Sequence, residues 1–114
     1  MNTVTIGISD RKQATVRALK AFAGKSQGNI ISFESPALLF KTLTLKRWEI
    51  LKVLTGKDPV SIREAARLIS RDVKAVHGDI TALLNVGILV RTENNKISFP
   101  FDKVHVDFVL SDAV

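Results

Sequence analysis

The chain opens on a clean alternation. From Thr3 to Ser9, Val4, Ile6 and Ile8 fall on one side and Thr3, Thr5, Gly7 and Ser9 on the other, the period of a half-buried strand. Ser9 or Asp10 then caps a predicted helix running to about Ala23, with Gly24 as its stop. Its apolar side carries Val16, Leu19, Phe22 and Ala23, and its polar side Arg11, Lys12, Arg17 and Lys20. Lys25 to Asn29 reads as a loop, Ile30 to Glu34 as a second short strand, and Ser35-Pro36 as the start of a short helix through Leu39 and Phe40. From Thr44 the spacing is steadily helical. Trp48, Leu51 and Leu54, with Ile50 and Leu45 beside them, form a broad apolar face to about Thr55, and Trp48 is expected in the core.

After the turn chemistry of Gly56-Lys57-Asp58-Pro59, Ser61-Ile62-Arg63-Glu64 reads as a capping box. The serine hydroxyl accepts from the Glu64 amide, and the Glu64 side chain reaches back to the Ser61 amide. Ile62, Ala65, Ala66 and Ile69 follow at helical spacing, and only three residues, Ser70-Arg71-Asp72, precede the next helical run. Asp72 is a good N-cap. Val73, Val76, Ile80, Leu83 and Leu84 are expected on the buried side of that helix, and Gly87 ends it. Two β-prone runs, Ile88 to Thr92 and Lys96 to Phe99, flank a Glu93-Asn94-Asn95 hairpin turn. Val104, Val106, Phe108 and Leu110 alternate again and suggest a last strand.

Helix, polar turn, helix, three-residue turn, helix and hairpin together are the plan of a winged helix-turn-helix. The narrow Ala65/Ala66 face permits a close crossing with the helix from Val73, and the short turn sets a steep angle. The second helix of such a pair projects its outer side, which fits the major groove of DNA. The expected fold is therefore α+β. A winged helix-turn-helix at 35–101 follows a small strand-helix-strand extension at 1–34, and a C-terminal strand and tail occupy 102–114.

On the outer side of the second helix stand Lys74, Ala75, His77, Gly78 and Thr81. Lys74 can reach a phosphate or a guanine edge, His77 and Thr81 can hydrogen-bond bases or phosphate, and Ala75 can touch a thymine methyl. Arg71, at the helix entrance, is placed to meet phosphate. Ser61 and Arg63 lie at the start of the preceding helix, whose amides face a phosphate in this reading. A glycine inside a helix costs about 1 kcal/mol against alanine, so Gly78 wants a reason. Close approach of a DNA backbone is one, and relief of crowding against another helix is the other. Arg91 and Lys96 on the hairpin either grip DNA as a wing or guard a sheet edge. His77 has the plainer reading of a solvated residue, and the basic N-terminal face that of a solvated or partner-facing surface.

The charge agrees with this picture without deciding it. The 114 residues hold 17 basic and 11 acidic side chains, a net charge of +6. The excess is front-loaded: residues 1–29 carry five basic and one acidic side chain, residues 88–114 three and four. Such a field attracts nucleic acid, acidic proteins or anionic membranes. There is no cysteine, which excludes disulfides, thiolate metal sites and cysteine nucleophiles. No apolar run approaches the roughly 18–20 residues that span a bilayer, and Met1 to Gly24 lacks the order of a signal peptide, so the cytoplasm is the expected compartment. An enzyme is not expected. His105 and Asp107 share one face of a strand, but no serine elbow, phosphate loop or metal-ligand spacing accompanies them. No cofactor is expected.

Several segments carry a family resemblance. They are Phe33-Glu34-Ser35-Pro36, Leu43-Thr44-Leu45-Lys46-Arg47-Trp48-Glu49-Ile50-Leu51 and Ser61-Ile62-Arg63-Glu64-Ala65-Ala66, then Arg71-Asp72-Val73-Lys74-Ala75-Val76-His77-Gly78-Asp79 and Leu83-Leu84-Asn85-Val86-Gly87-Ile88-Leu89. Over about residues 30–110 the chain is similar to the small MarR-like winged-helix predicted transcriptional regulators of bacteria and archaea. That resemblance implies binding to operator DNA. Because one helix in one groove gives modest specificity, a homodimer is expected, its contact in the N-terminal strand and helix at 1–34, the C-terminal strand, or both, and its binding is expected to repress its own operon. The resemblance also implies an antitoxin-like role, with a TumE-type toxin as protein partner. Many helix-turn-helix units have glycine in the turn where this chain has Ser70.

Overall fold

The computed structural model describes residues 2–8 and 29–107. In chain order they form β1 (Thr3–Ile8), β2 (Asn29–Phe33), α1 (Pro36–Thr42), α2 (Leu45–Leu54), α3 (Ile62–Leu68), α4 (Val73–Asn85), β3 (Val90–Arg91), β4 (Ile97–Ser98) and β5 (Lys103–Asp107). The class is α+β. The helix expected before Gly24, with its Arg11, Lys12, Arg17 and Lys20 face, and the end of the last strand at Phe108 and Leu110 lie outside the described residues.

β1 is the centre of a three-stranded sheet ordered β2-β1-β5. Both pairings are parallel: Val4 to Ile8 lie against Asn29 to Phe33, and Thr3 to Gly7 against Lys103 to Asp107. The alternation behaves as the pattern predicts, with Val4 and Ile6 fully buried. Gly7 does not follow its polar side and is buried too. A Cβ there would stand 2.6 Å from the carbonyl oxygen of Asp107, so the close approach of β5 demands glycine. Asn2 ties the strand ends together. Its Nδ2 donates to Pro100 O (2.7 Å), its Oδ1 accepts from Asn29 Nδ2 (2.7 Å), and its carbonyl accepts from the Asp102 N–H (2.7 Å).

The helices start where the sequence supplies caps. Ser35 Oγ accepts from Leu38 N–H, with Pro36 in the first turn, and Thr44 Oγ1 accepts from Arg47 N–H. In α2 the buried side is Ile50, Leu51 and Leu54. Trp48 is half-buried and packs against the core rather than within it. Leu45, expected beside it, is 76% exposed, because it points away from that side at the first helical position. One apolar cluster joins Val4 and Ile6 of β1, Phe33 of β2, Ile50, Leu51 and Leu54 of α2, Val76, Ile80 and Leu83 of α4, and Ile97 and Phe99 of the hairpin.

Ser61 caps α3 as expected, its Oγ accepting from Glu64 N–H at 3.0 Å. The return half of the expected capping box is absent: the Glu64 carboxylate pairs with Arg67 one turn on. That hydrogen bond from Arg67 holds the Glu64 carboxyl below its ordinary value. Ala65 and Ala66 are buried where α3 packs on α4. The turn between them is a complete Schellman motif, Arg71 N–H donating to Ala66 O (3.1 Å) and Ser70 N–H to Arg67 O (3.2 Å). Ser70 takes the left-handed position of that motif, φ 54°, where glycine is the usual occupant. α4 ends in the same motif, Ile88 N–H to Leu83 O and Gly87 N–H to Leu84 O, with Gly87 at φ 82°.

The hairpin is shorter than the β-prone runs suggest. Ile88 and Leu89 leave the strand and enter the core, so β3 and β4 pair over only Val90–Ser98 and Arg91–Ile97. Asn95 closes the turn at φ 58°. Val60, just before α3, adds a bridge to Ile97, which fastens the hairpin to the helix pair.

Candidate nucleic-acid interface

α4 has two sides of opposite character. Val76, Ile80 and Leu83 are 0% exposed. Around the far side Lys74, Ala75, His77, Gly78 and Asn85 are exposed, and Thr81 is half-buried. The helix is started by Asp72, whose Oδ2 accepts from Lys74 N–H (3.0 Å) and Ala75 N–H (3.3 Å). Five of the residues singled out for DNA contact thus share one surface. Asn85, one turn beyond Thr81, extends it. Helical spacing from Lys74, Gly78 and Thr81 reaches that residue, and its carboxamide suits an adenine edge. Val73, expected on the buried side, is 41% exposed, because the first turn of α4 runs ahead of the core.

Gly78 has nothing within 4 Å of where its Cβ would stand. Relief of crowding against another helix is therefore not its reason. An exposed glycine in mid-helix leaves a flat place on the surface, beside Lys74.

The inner flank carries a charge network that the residue pattern did not reveal. Asp79 Oδ1 accepts from Arg47 Nε at 3.1 Å, and its Oδ2 accepts from Arg71 Nη2 at 2.9 Å. Arg47 Nη1 also donates to Thr42 O at 2.9 Å. The three side chains are only 18–23% exposed. One carboxylate thereby joins the end of α1, the start of α2, the α3–α4 turn and α4. Burial pushes the Asp79 carboxyl upward, but the hydrogen bonds and charges of Arg71 and Arg47 outweigh it and hold the group below its ordinary value. Arg71 Nη1 is buried without a hydrogen-bond partner.

This network corrects the expectation for Arg71. Its guanidinium turns inward to Asp79 rather than outward to a phosphate, because the Asp79 carboxylate on α4 offers it a charge-assisted hydrogen bond through Oδ2 at 2.9 Å. The signal available in sequence was the place of Asp79. It stands next to the Val76, Ile80 and Leu83 stripe, where an acidic residue needs a cationic partner.

The remaining candidates lie apart from the α4 surface. Ser61 and Arg63 are exposed at the start of α3, and the Ser61 hydroxyl is engaged as the cap. Arg91 is exposed on β3 and donates to Asn95 Oδ1 at 2.6 Å across the turn, while Lys96 is exposed beside β4. His105 and Asp107 are both exposed on β5. Among the described residues no group of three or more His, Asp or Glu side chains could hold a metal ion, and no helix is long and apolar enough to cross a membrane.

The family model HVO_A0114 matches residues 42–106, from the end of α1 into β5. The chain belongs to the HVO_A0114 family. The HVO_A0114 segment takes in the Arg47–Asp79–Arg71 network, the exposed side of α4 and the hairpin together. No curated protein matches the chain. A solved structure of a protein with unknown function from Listeria innocua Clip11262 is similar at 18% identity and a TM-score of 0.46, over 77% of this chain and 62% of that one. The chain thus spans less than two thirds of that protein's length.

Proposed function

We propose that this chain is a winged helix-turn-helix regulator that binds double-stranded DNA in a sequence-specific way. In this reading α4 lies in the major groove, α3 crosses behind it, and the β3–β4 hairpin is the wing. The observation that carries the reading is the outer surface of α4. Lys74, His77, Gly78 and Thr81 stand on one side of a helix whose other side is anchored both by the core and by Asp79. A reading helix has to be rigid from behind and open in front. The flat place at Gly78 suits the approach of a sugar-phosphate backbone, and the net charge of +6 suits a polyanion. Ser70 in the left-handed position supports the same geometry, since it keeps the short turn that a helix-turn-helix requires.

The resemblance to MarR-like regulators supplies the biological role. The protein binds its own operator as a homodimer and represses transcription of its operon, alongside a small toxin as protein partner. Arg71 has no part in phosphate contact in this proposal. Lys74 takes that role, with Arg91 and Lys96 at the wing.

The test is fluorescence anisotropy of the full chain on a duplex taken from upstream of its own gene, against a scrambled duplex. Specific binding should weaken steeply with salt, with a log–log slope near −0.9 for each phosphate neutralised. His77→Ala and Thr81→Ala should each weaken the specific complex by about 1–3 kcal/mol where they read bases. Equal affinity for both duplexes, or binding indifferent to salt, would overturn the proposal.

A further inference from the structure

Among the described residues β5 is an edge strand. β1 occupies one side of it, and among the described residues no strand pairs with the other. Its sequence is Lys103-Val104-His105-Val106-Asp107. The register against β1 sets Val104 beside Val4 and Val106 beside Ile6, so both valines belong to the face that β1 buries. Yet Val106 remains 45% exposed while its neighbour Ile6 is fully buried. The apolar face of the sheet therefore runs to its edge and stops uncovered.

The backbone fixes which groups are free. Lys103 N–H donates toward Asn2 O of the chain entering β1, and the Asp107 carbonyl lies against Gly7. Because the direction of hydrogen bonding alternates along a strand, Lys103, His105 and Asp107 face β1. The N–H and C=O groups of Val104 and Val106 face the open edge.

We infer that this edge pairs with β5 of a second copy, antiparallel about a two-fold axis at His105, so that two three-stranded sheets become one of six strands. The argument is self-complementarity. In this register Val104 of one copy exchanges both backbone hydrogen bonds with Val106 of the other. Lys103 then stands opposite Asp107 of the other copy, twice per dimer. These are non-hydrogen-bonded pairs, in which side chains lie closest. The exposed valines of the two copies continue one apolar face across the junction. The five described residues of β5, with Lys103 and Asp107 flanking two valines about His105, are complementary to themselves only when antiparallel. The pairing deepens the proposed function and rests on it in one respect: a two-fold dimer presents two α4 helices to two half-sites. The dimer itself can be tested without DNA.

Charge reversal is the experiment, read by sedimentation of the full chain over a range of concentrations. The unaltered chain should dimerise. Lys103→Asp alone and Asp107→Lys alone each place like charges opposite one another, and each should raise the dimer dissociation constant by about tenfold or more. The double variant Lys103→Asp/Asp107→Lys should restore dimerisation. An equimolar mixture of the two single variants should form a heterodimer, because one contributes only acidic ends and the other only basic ends. The chain has no cysteine, so His105→Cys introduces a single thiol, which should cross-link to its symmetry mate on mild oxidation. Because both charged residues are exposed, circular dichroism of each variant should match the parent. A chain that stays monomeric at all concentrations, or a dimer indifferent to reversal and not cross-linked through residue 105, would overturn the inference. Either result would leave DNA binding to be judged by the anisotropy measurement alone.

Discussion

Arg71 and Lys74 lie three residues apart, carry the same charge and flank the same N-cap, yet they belong to different regions. Arg71 is drawn into the half-buried network with Asp79 and Arg47, whereas Lys74 stands in water on the outer side of α4. The inner flank holds the three helices α2, α3 and α4 in place, and the outer flank is uncommitted. The lesson is that a basic residue near a half-exposed helix acquires its role from what lies across the helix. Local sequence near Arg71 looks like a phosphate contact, and the carboxylate that claims it comes eight positions later.

Removing the inner carboxylate should have the largest effect. Asp79→Ala leaves two guanidinium groups half-buried without an anion, and unfolding by urea should show a loss of about 2–4 kcal/mol, toward the lower end because water still reaches the site. The same network sets a pH dependence. Since the folded Asp79 carboxyl is held below its ordinary value, its contribution is complete above that value, near pH 4 or so. The contribution is lost as pH falls through the lower, folded pKa. The stability gap between the parent and Asp79→Asn should therefore be constant from neutral to weakly acidic pH and close under stronger acid. A gap that widened in acid would mean the network is not what holds the helices.

On the outer flank the effect should move from stability to binding. Lys74→Ala should leave the melting temperature unchanged, weaken all duplexes alike if Lys74 meets phosphate, and reduce the salt slope by about one unit. Should it destabilise the fold instead, the contrast between the flanks would disappear. A smaller effect is expected at the turn. Ser70 holds a left-handed conformation that glycine adopts without strain, so Ser70→Gly should stabilise the protein by about 0.5–1 kcal/mol, with no loss of binding.

Gly78→Ala sharpens the comparison further. With open space at that position, alanine should raise stability by roughly 0.5–1 kcal/mol while weakening DNA binding, since in the proposed reading the added methyl would meet the approaching backbone. Gains in both would remove the reason offered for that glycine. The smallest effect should come from Arg67→Ala. Its pair with Glu64 is exposed and within one helix, and such pairs contribute little in water, so melting and binding should both be unchanged.

Much of the helical part is legible in the residues, because its signals are local. Caps at Ser35, Thr44, Ser61 and Asp72, glycine at 87 and the spacing of Val76, Ile80 and Leu83 act within a few residues, and each element forms where they say. The exposed Lys74, Ala75, His77 and Gly78 follow from the same periodicity. What the pattern missed depends on distance along the chain. Arg47 and Asp79 are 32 positions apart, and the exposure of Leu45 and Val73 reflects where the core ends rather than any property of their helices.

By itself, then, the sequence determined the kinds of element among the described residues, their order and the amphipathic division of α4, since hydrophobic period and capping chemistry are properties of neighbouring residues. Only the tertiary structure decided that β1 would be gripped between β2 and β5, whose pairing joins Thr3 to Lys103, and that Arg71 would face inward. Those outcomes arise from the burial of apolar faces and the desolvation of charges. Both are set by which segments come to lie side by side, and nothing within a few residues encodes that.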